Sequence, residues 1–290
     1  MSTFAAAAGG DSLGIIVSLK KCTDLPVADL RAGSFIPDVG PLSIVKDAMS
    51  LIPGGGESSS DPYVKAKMVN TATHSTSEEQ RSPTIHKNTD PIWLPAVRFT
   101  FLVPADSVEA QRLVLDIWDQ DSMSKDDYLG TTKLDLKGLN LSGGGDAVHN
   151  HTLDLLDVKT GDKVPNSKVF IAIQVKTAAE MASEQHELVY EYERWTPTGG
   201  WGKKYPGNLL PTDPGCWSDE KGGKWSMDMS EVALPIPEGM HSVDHWATEG
   251  DWMFGSDFRL RVWMSAKSSI SFARRRAWVR KCEVAPDKKK

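Results

Sequence analysis

LVLDIWDQDSMSKDDYLG, residues 113–130, decides how the first half of this 290-residue chain is read. It opens as an apolar strand and runs into a loop. Asp116, Asp119, Asp121, Asp126 and Asp127 fall within twelve positions of one another. Carboxylates this close repel by several kcal/mol at low effective dielectric unless a cation neutralises them. Asp119 and Asp121 are two residues apart, so extended chain points both to the same side. Hard oxygen donors in that arrangement suit a hard divalent cation.

Around this stretch lie further short runs of Val, Ile, Leu, Thr and aromatic residues. They are LGIIVSL from 13, PYVKAKMV from 62, AVRFTF from 96, YLGTTKLDL from 128, HTLDL from 151 and KVFIAIQV from 168, with SPTIH from 82 as an eighth candidate. Gly, Pro, Asn, Asp and Ser punctuate them, the pattern of strands joined by turns. Such a series predicts two antiparallel sheets packed as a sandwich.

The motifs DLPVAD, SDPYVKA, HKNTDPIW and LVLDIWDQDSMSKDDYLG together resemble a C2 domain, over about residues 11–177. The unit opens on the strand before the first loop and ends on an extra strand, which is similar to the permuted, type II order. The resemblance implies an eight-stranded antiparallel sandwich that binds two calcium ions through loops at one end. Its calcium ligands map onto Asp29 and Asp61 in the first loop and onto Asp119, Asp121 and Asp127 in the third. Asp116 lies on the strand and Asp126 beside a ligand position. One departure from the family is the long insertion, residues 30–60, between Asp29 and Asp61. Within it Leu42, Val45, Met49 and Ile52 share one helical face, between a Pro and a Pro-Gly-Gly-Gly run. That face is expected either to enter a lipid headgroup layer, with Val45 and Met49 as contacts, or to pack on the sandwich. Met123, at the tip of the third loop, is the other membrane-contact candidate.

Composition changes after residue 177. Eight of the ten tryptophans lie in residues 195–278. Residues 178–186 read as a short linker or helical turn. From 187 to 283, ELVYEYERWTPTGGW, NLLPTDPGCWSDEKG, EGDWMFGSDFRLRVW and ARRRAWVRKC resemble the dysferlin domain found in ferlins, reticulon-like peroxins and a tectonin-repeat autophagy protein. In FRLRVWM, alternation places Arg259, Arg261 and Trp263 on one face. In FARRRAWVR it places Arg274, Arg276, Trp278 and Arg280 on one face. The expected arrangement is a hairpin of these two strands with guanidinium and indole planes stacked across it. The competing reading of the same arginines is a surface patch for lipid phosphates.

The overall balance, 40% hydrophobic and 25% charged with a net charge of −6, is that of a globular rather than a disordered protein and gives no basis for nucleic-acid binding; the all-β class rests on the strand pattern. Three widely spaced cysteines, no basic n-region and no long apolar run predict a cytoplasmic protein without a transmembrane segment, and the C2 resemblance implies that it is peripheral on intracellular membranes. GDSLG at 10–14 satisfies G-x-S-x-G, but a strand follows the Ser where a helix is required. The seven histidines show no metal spacing with the cysteines, so no enzyme is expected. The function expected is calcium-dependent attachment to anionic phospholipid membranes, with the second domain adding lipid or protein recognition in membrane traffic or organelle maintenance. The alternative is a calcium-independent adaptor that uses the sandwich as a scaffold for protein partners.

Overall fold

The computed structural model describes residues 12–27, 60–121, 125–139, 147–260 and 263–284. Asp29, the helix expected over 42–52 with Val45 and Met49, Met123 and Arg261 lie outside the described residues.

In β1 (Ser12–Thr23), Ile15, Val17 and Leu19 alternate inward with period two and are fully buried. β1 runs antiparallel between β4 (Ile92–Pro104) and β8 (Lys163–Thr177), so the last strand of the unit pairs with the first. The other layer is built on β2 (Pro62–Asn70), which pairs along its whole length with β5 (Gln111–Asp119). β5 in turn pairs with β6 (Asp127–Asp135). β7 (Val148–Leu156) pairs with β8 and meets β6 at one position, Thr131 opposite Leu156. The order is therefore β3-β2-β5-β6 in one layer and β7-β8-β1-β4 in the other, with β3 the two residues Gln80–Arg81. Val64, Ala66 and Met68 from β2, Leu113, Leu115 and Ile117 from β5, Phe99 and Phe101 from β4, and Ile171 and Ile173 from β8 meet in one core. Burying each such aliphatic side chain contributes about 1.5–3 kcal/mol.

The expected strand SPTIH is not one. The eighth strand is β3, immediately before it, and residues 82–85 have no regular secondary structure and lead into a turn at His86–Lys87. Pro83 has no N–H to give a ladder, and its carbonyl instead accepts the Trp93 indole N–H at 2.9 Å. Ser82 is buried with its hydroxyl accepting the Val64 N–H.

A helix, Ala178–Ser183, follows β8. Its start is fixed by a capping box, in which the Thr177 hydroxyl accepts the Glu180 N–H and the Glu180 carboxylate accepts the Thr177 N–H. β9 (Glu184–Thr196) then begins inside the stretch read as a linker. The second sheet has β9 and β15 (Ala273–Val284) at its centre, paired from Glu184 to Arg194. β10 (Gly200–Gly202) and β11 (Trp217–Asp219) join β9, with β12 (Trp225–Ser226) beyond β11. β13 (Met240–Ser242) and β14 (Ala247–Gly255) join β15.

The hairpin expected between FRLRVWM and FARRRAWVR does not form. β14 takes the place beside β15, and residues 256–260 and 265–272 are loop. The reason lies in Phe258 and Trp263, which are five residues apart and would face opposite sides of a strand. Both are instead buried in one core with Tyr190 and Tyr192. The loop achieves this with the Asp257 carboxylate accepting the Arg259 N–H and the Trp263 indole N–H bonded to the Leu260 carbonyl. Arg259 is consequently outside the stacks described below.

Candidate functional site

The strand register brings the described acids of the first unit to one end. Asp119 ends β5, where Pro62 faces it on β2 and Asp127 on β6. Asp61 immediately precedes Pro62, and its N–H donates to Asp119 Oδ1. Asp119 is 1% exposed, whereas Asp127 is exposed and Asp61 and Asp121 are intermediate. The Asp61 carboxylate is held on the loop side, accepting the Lys87 N–H at 2.7 Å and meeting His86 Nδ1 at 2.9 Å.

Two neighbouring acids have structural partners. The Asp126 carboxylate accepts the Tyr63 hydroxyl at 2.6 Å and the Asp121 N–H at 3.2 Å. Burial, followed by that bond to Asp126, pushes the Tyr63 phenol up to about 12, so it remains a donor. Asp116 accepts from Tyr128, Thr131 and Lys67. Burial alone would raise its carboxyl, but these hydrogen bonds outweigh that and hold it below the ordinary carboxylate range.

The chemistry and register of Asp61, Asp119, Asp121 and Asp127 fit a hard cation, since carboxylate oxygens are the ligands that calcium takes. Among the described residues, however, no three acids, histidines or cysteines converge as a metal-binding group.

The second unit carries a ladder that the sequence reading found only in part. On one face of the central pair, Arg274, Arg276 and Arg280 stand directly opposite Glu193, Glu191 and Glu187, and each forms an ion pair with the Glu it faces. Indole rings cover these pairs. Arg274 lies 4.9 Å from the Trp201 ring and 4.1 Å from the Trp252 ring. Arg276 lies 4.6 Å from Trp252 and 5.0 Å from Trp278, and Arg280 lies 4.7 Å from Trp246. Burial would raise the Glu191 carboxyl, but hydrogen bonds from Lys203, Arg276 and Trp278 hold it low. Trp263 belongs to the opposite face, where Arg275 covers it at 4.8 Å. The signal for the acid half was present in ELVYEYE, where Glu187, Glu191 and Glu193 share one strand face.

Arg276→Lys keeps the charge and loses the flat guanidinium that spans Glu191 and two indoles. It is expected to destabilise the second unit by about 1–2 kcal/mol. A denaturation midpoint equal to that of the unaltered protein would show that planarity contributes nothing here.

The G-x-S-x-G serine, Ser12, opens β1 opposite Pro104 and leads into eleven further strand residues. It is not at a strand-to-helix turn. Cys22, Cys216 and Cys282 are buried, and none is in a disulfide. Among the described residues, no helix is long and apolar enough to cross a membrane.

The first unit is thus an antiparallel β-sandwich with Asp61, Asp119 and Asp127 near one end. Residues 43–152 match the family model of the C2 domain, so the chain contains a C2 domain. Similar curated proteins include the eye isozyme of protein kinase C from Drosophila melanogaster, 33% identical over 33% of this chain and 13% of that protein. A multiple C2 and transmembrane domain-containing protein of the same fly is 34% identical over 33% of this chain and 9% of its own length. Tectonin beta-propeller repeat-containing protein 1 from Rattus norvegicus is 31% identical over 36% of this chain and 9% of that protein. The chain thus spans about a tenth of the length of these relatives. Among solved structures, a C2 domain of plant extended synaptotagmin 1 aligns with 57% of this chain and 94% of its own, at a TM-score of 0.38 and 19% identity.

Proposed function

We propose that the protein attaches peripherally to anionic phospholipid membranes through its C2 sandwich, in a calcium-dependent manner. The second unit, of dysferlin type, adds lipid or protein recognition in membrane traffic or organelle maintenance. The observation that carries the calcium reading is the register Pro62–Asp119–Asp127, which sets Asp61, Asp119 and Asp127 side by side at one end of the sandwich. Asp119 is already oriented by the Asp61 N–H, and Tyr63 keeps Asp126 aside. Without a cation these carboxylates repel an anionic surface. Calcium held by Asp61, Asp119, Asp121 and Asp127, with Asp29 from the first loop, would supply the positive charge that reverses this. For the dysferlin reading, the support is the ordered motifs of residues 187–283 and the likeness to a tectonin-repeat protein. No catalytic step is part of this function.

A calcium-independent scaffold is the second reading, and the engagement of Asp61 by His86 and Lys87 favours it. Co-sedimentation with vesicles of phosphatidylcholine and phosphatidylserine separates the two. The first reading expects pelleting with calcium and release by chelator. Equal pelleting in both conditions, or none in either, would remove the calcium-dependent reading.

A further inference from the structure

At one end of the second sheet, three aromatic side chains stand side by side. Trp195 of β9 is directly opposite Trp201 of β10, and its N–H donates to the Phe272 carbonyl at 2.9 Å, one step past the last β15 pair. The Trp195 and Phe272 rings are 6.4 Å apart. All three lie on the face that carries the arginine–glutamate ladder. Trp195 is two residues from Glu193 and Phe272 two from Arg274, and Trp201 covers Arg274. Both indoles are half-buried, and Phe272 is 43% exposed.

A well-fixed turn adjoins this row. The Ser271 N–H donates to the Ser268 carbonyl at 3.1 Å, and the Ser268 N–H donates to the Ser271 hydroxyl at 2.9 Å. Ser271 is buried, so the turn is anchored at its base and presents Ser269 and Ile270 at its tip. Ile270 is 62% exposed. Residues favoured at turn tips serve the backbone through small size, a fixed φ or a local hydrogen bond, and isoleucine offers none of these. Its side chain is instead held out into solvent, where burial contributes nothing to the fold. Lys267 stands at the base of the turn. Its ammonium is 5.7 Å from the Trp195 ring and 5.7 Å from the Trp201 ring, and it meets no carboxylate among the described residues.

Charge separates the partners such a surface fits. Residues 258–276 hold six basic side chains and no acidic one, in a chain whose net charge is −6. The acids that adjoin the row, Glu193 and Asp257, are already paired with Arg274 and Arg194. An apolar tip, a collar of amphipathic rings and an unpaired cation match what the edge of a bilayer offers, namely acyl chain, headgroup layer and lipid phosphate.

We propose that the turn Ser268–Ser271 is the element through which the second unit enters an anionic phospholipid surface, with Ile270 reaching the acyl boundary, Phe272 and the two indoles in the headgroup layer, and Lys267 at the phosphates. This rests on the lipid-recognition role proposed for the second unit and gives that role a place and a lipid charge. The contact needs no calcium. A single turn binds weakly, so chelator still releases the chain at lipid concentrations that pellet it with calcium.

Co-sedimentation of the full chain in chelator tests this, as a titration carried to high lipid. The vesicles are phosphatidylcholine with phosphatidylserine, and phosphatidylcholine alone. Weak, saturable binding that favours the phosphatidylserine vesicles is expected. Ile270→Asp should weaken it at least about tenfold and Lys267→Glu at least about fivefold, whereas Ile270→Leu should retain it. Both positions are exposed, so the melting temperature should not change. If Ile270→Asp does lower it, Lys267→Glu carries the comparison. Binding by the unaltered chain that persists undiminished in both variants leaves lipid recognition standing and removes this turn from it. No binding in chelator at any lipid concentration removes both. Equal binding to the two kinds of vesicle overturns an anionic surface as the partner.

Discussion

Arg194→Ala is expected to destabilise the second unit by about 3–5 kcal/mol, the cost of removing one partner of a buried ion pair. Arg194 sits on β9 opposite Ala273, whose small side chain leaves room for the guanidinium inside the sheet. The side chain is 7% exposed and binds the Asp213 carboxylate through both Nε and an Nη, while Asp213 is 4% exposed. A second pair to Asp257 and the Phe258 ring at 4.9 Å complete its surroundings. Burial would lower the Arg194 pKa, but Asp213 outweighs it and holds the group charged. The alanine variant leaves the Asp213 carboxylate buried and unneutralised. It also frees the turn that Asp213 closes by accepting the Leu210 N–H at 2.7 Å. Arg194→Met combined with Asp213→Asn removes both charges and keeps an acceptor for Leu210, so it should recover a large part of the loss. Denaturant titration followed by tryptophan fluorescence reads both variants. If the double variant is no more stable than Arg194→Ala, the buried charge is not the cause.

Asp119→Asn combined with Asp121→Asn is expected to weaken calcium binding by on the order of 100-fold while the fold survives, because affinity follows the charge count of the ligands. Asn at 119 retains the side-chain oxygen that accepts the Asp61 N–H, and removing like charges relieves repulsion at this end of the sandwich. Calorimetry on the full chain should therefore show a lost isotherm beside an unchanged melting temperature. Equal calcium affinity in the double variant would exclude Asp119 and Asp121 as ligands. Calcium-dependent vesicle binding should disappear in parallel.

Period-two alternation carried most of the fold in the sequence. Ile15, Val17 and Leu19, or Leu113, Leu115 and Ile117, announce one buried face, and a strand needs little else once its neighbours share the pattern. SPTIH misled because Pro83 removes a ladder donor that apolar content does not register. FRLRVWM misled more deeply. Its alternation is perfect, yet Phe258 and Trp263 were both required in one core, and burying two large aromatics outweighs a local strand preference. The identity of the strand beside β15 was thus a decision of packing.

By itself the sequence determined the all-β class, the sandwich of the first unit and the crowding of Asp119, Asp121 and Asp127 into one stretch. These follow from local alternation and from residues close to one another in the chain. That Asp61 lies beside Asp119 was decided by the pairing of β2 with β5. Only the tertiary structure decided that Glu187, Glu191 and Glu193 face Arg280, Arg276 and Arg274, and that Asp61 is turned toward His86 and Lys87. Only it brought Leu94 of β4 into the core of the second unit. Register between distant strands and the docking of one unit on the other depend on the sum of many long-range contacts, and no single stretch of chain encodes that sum.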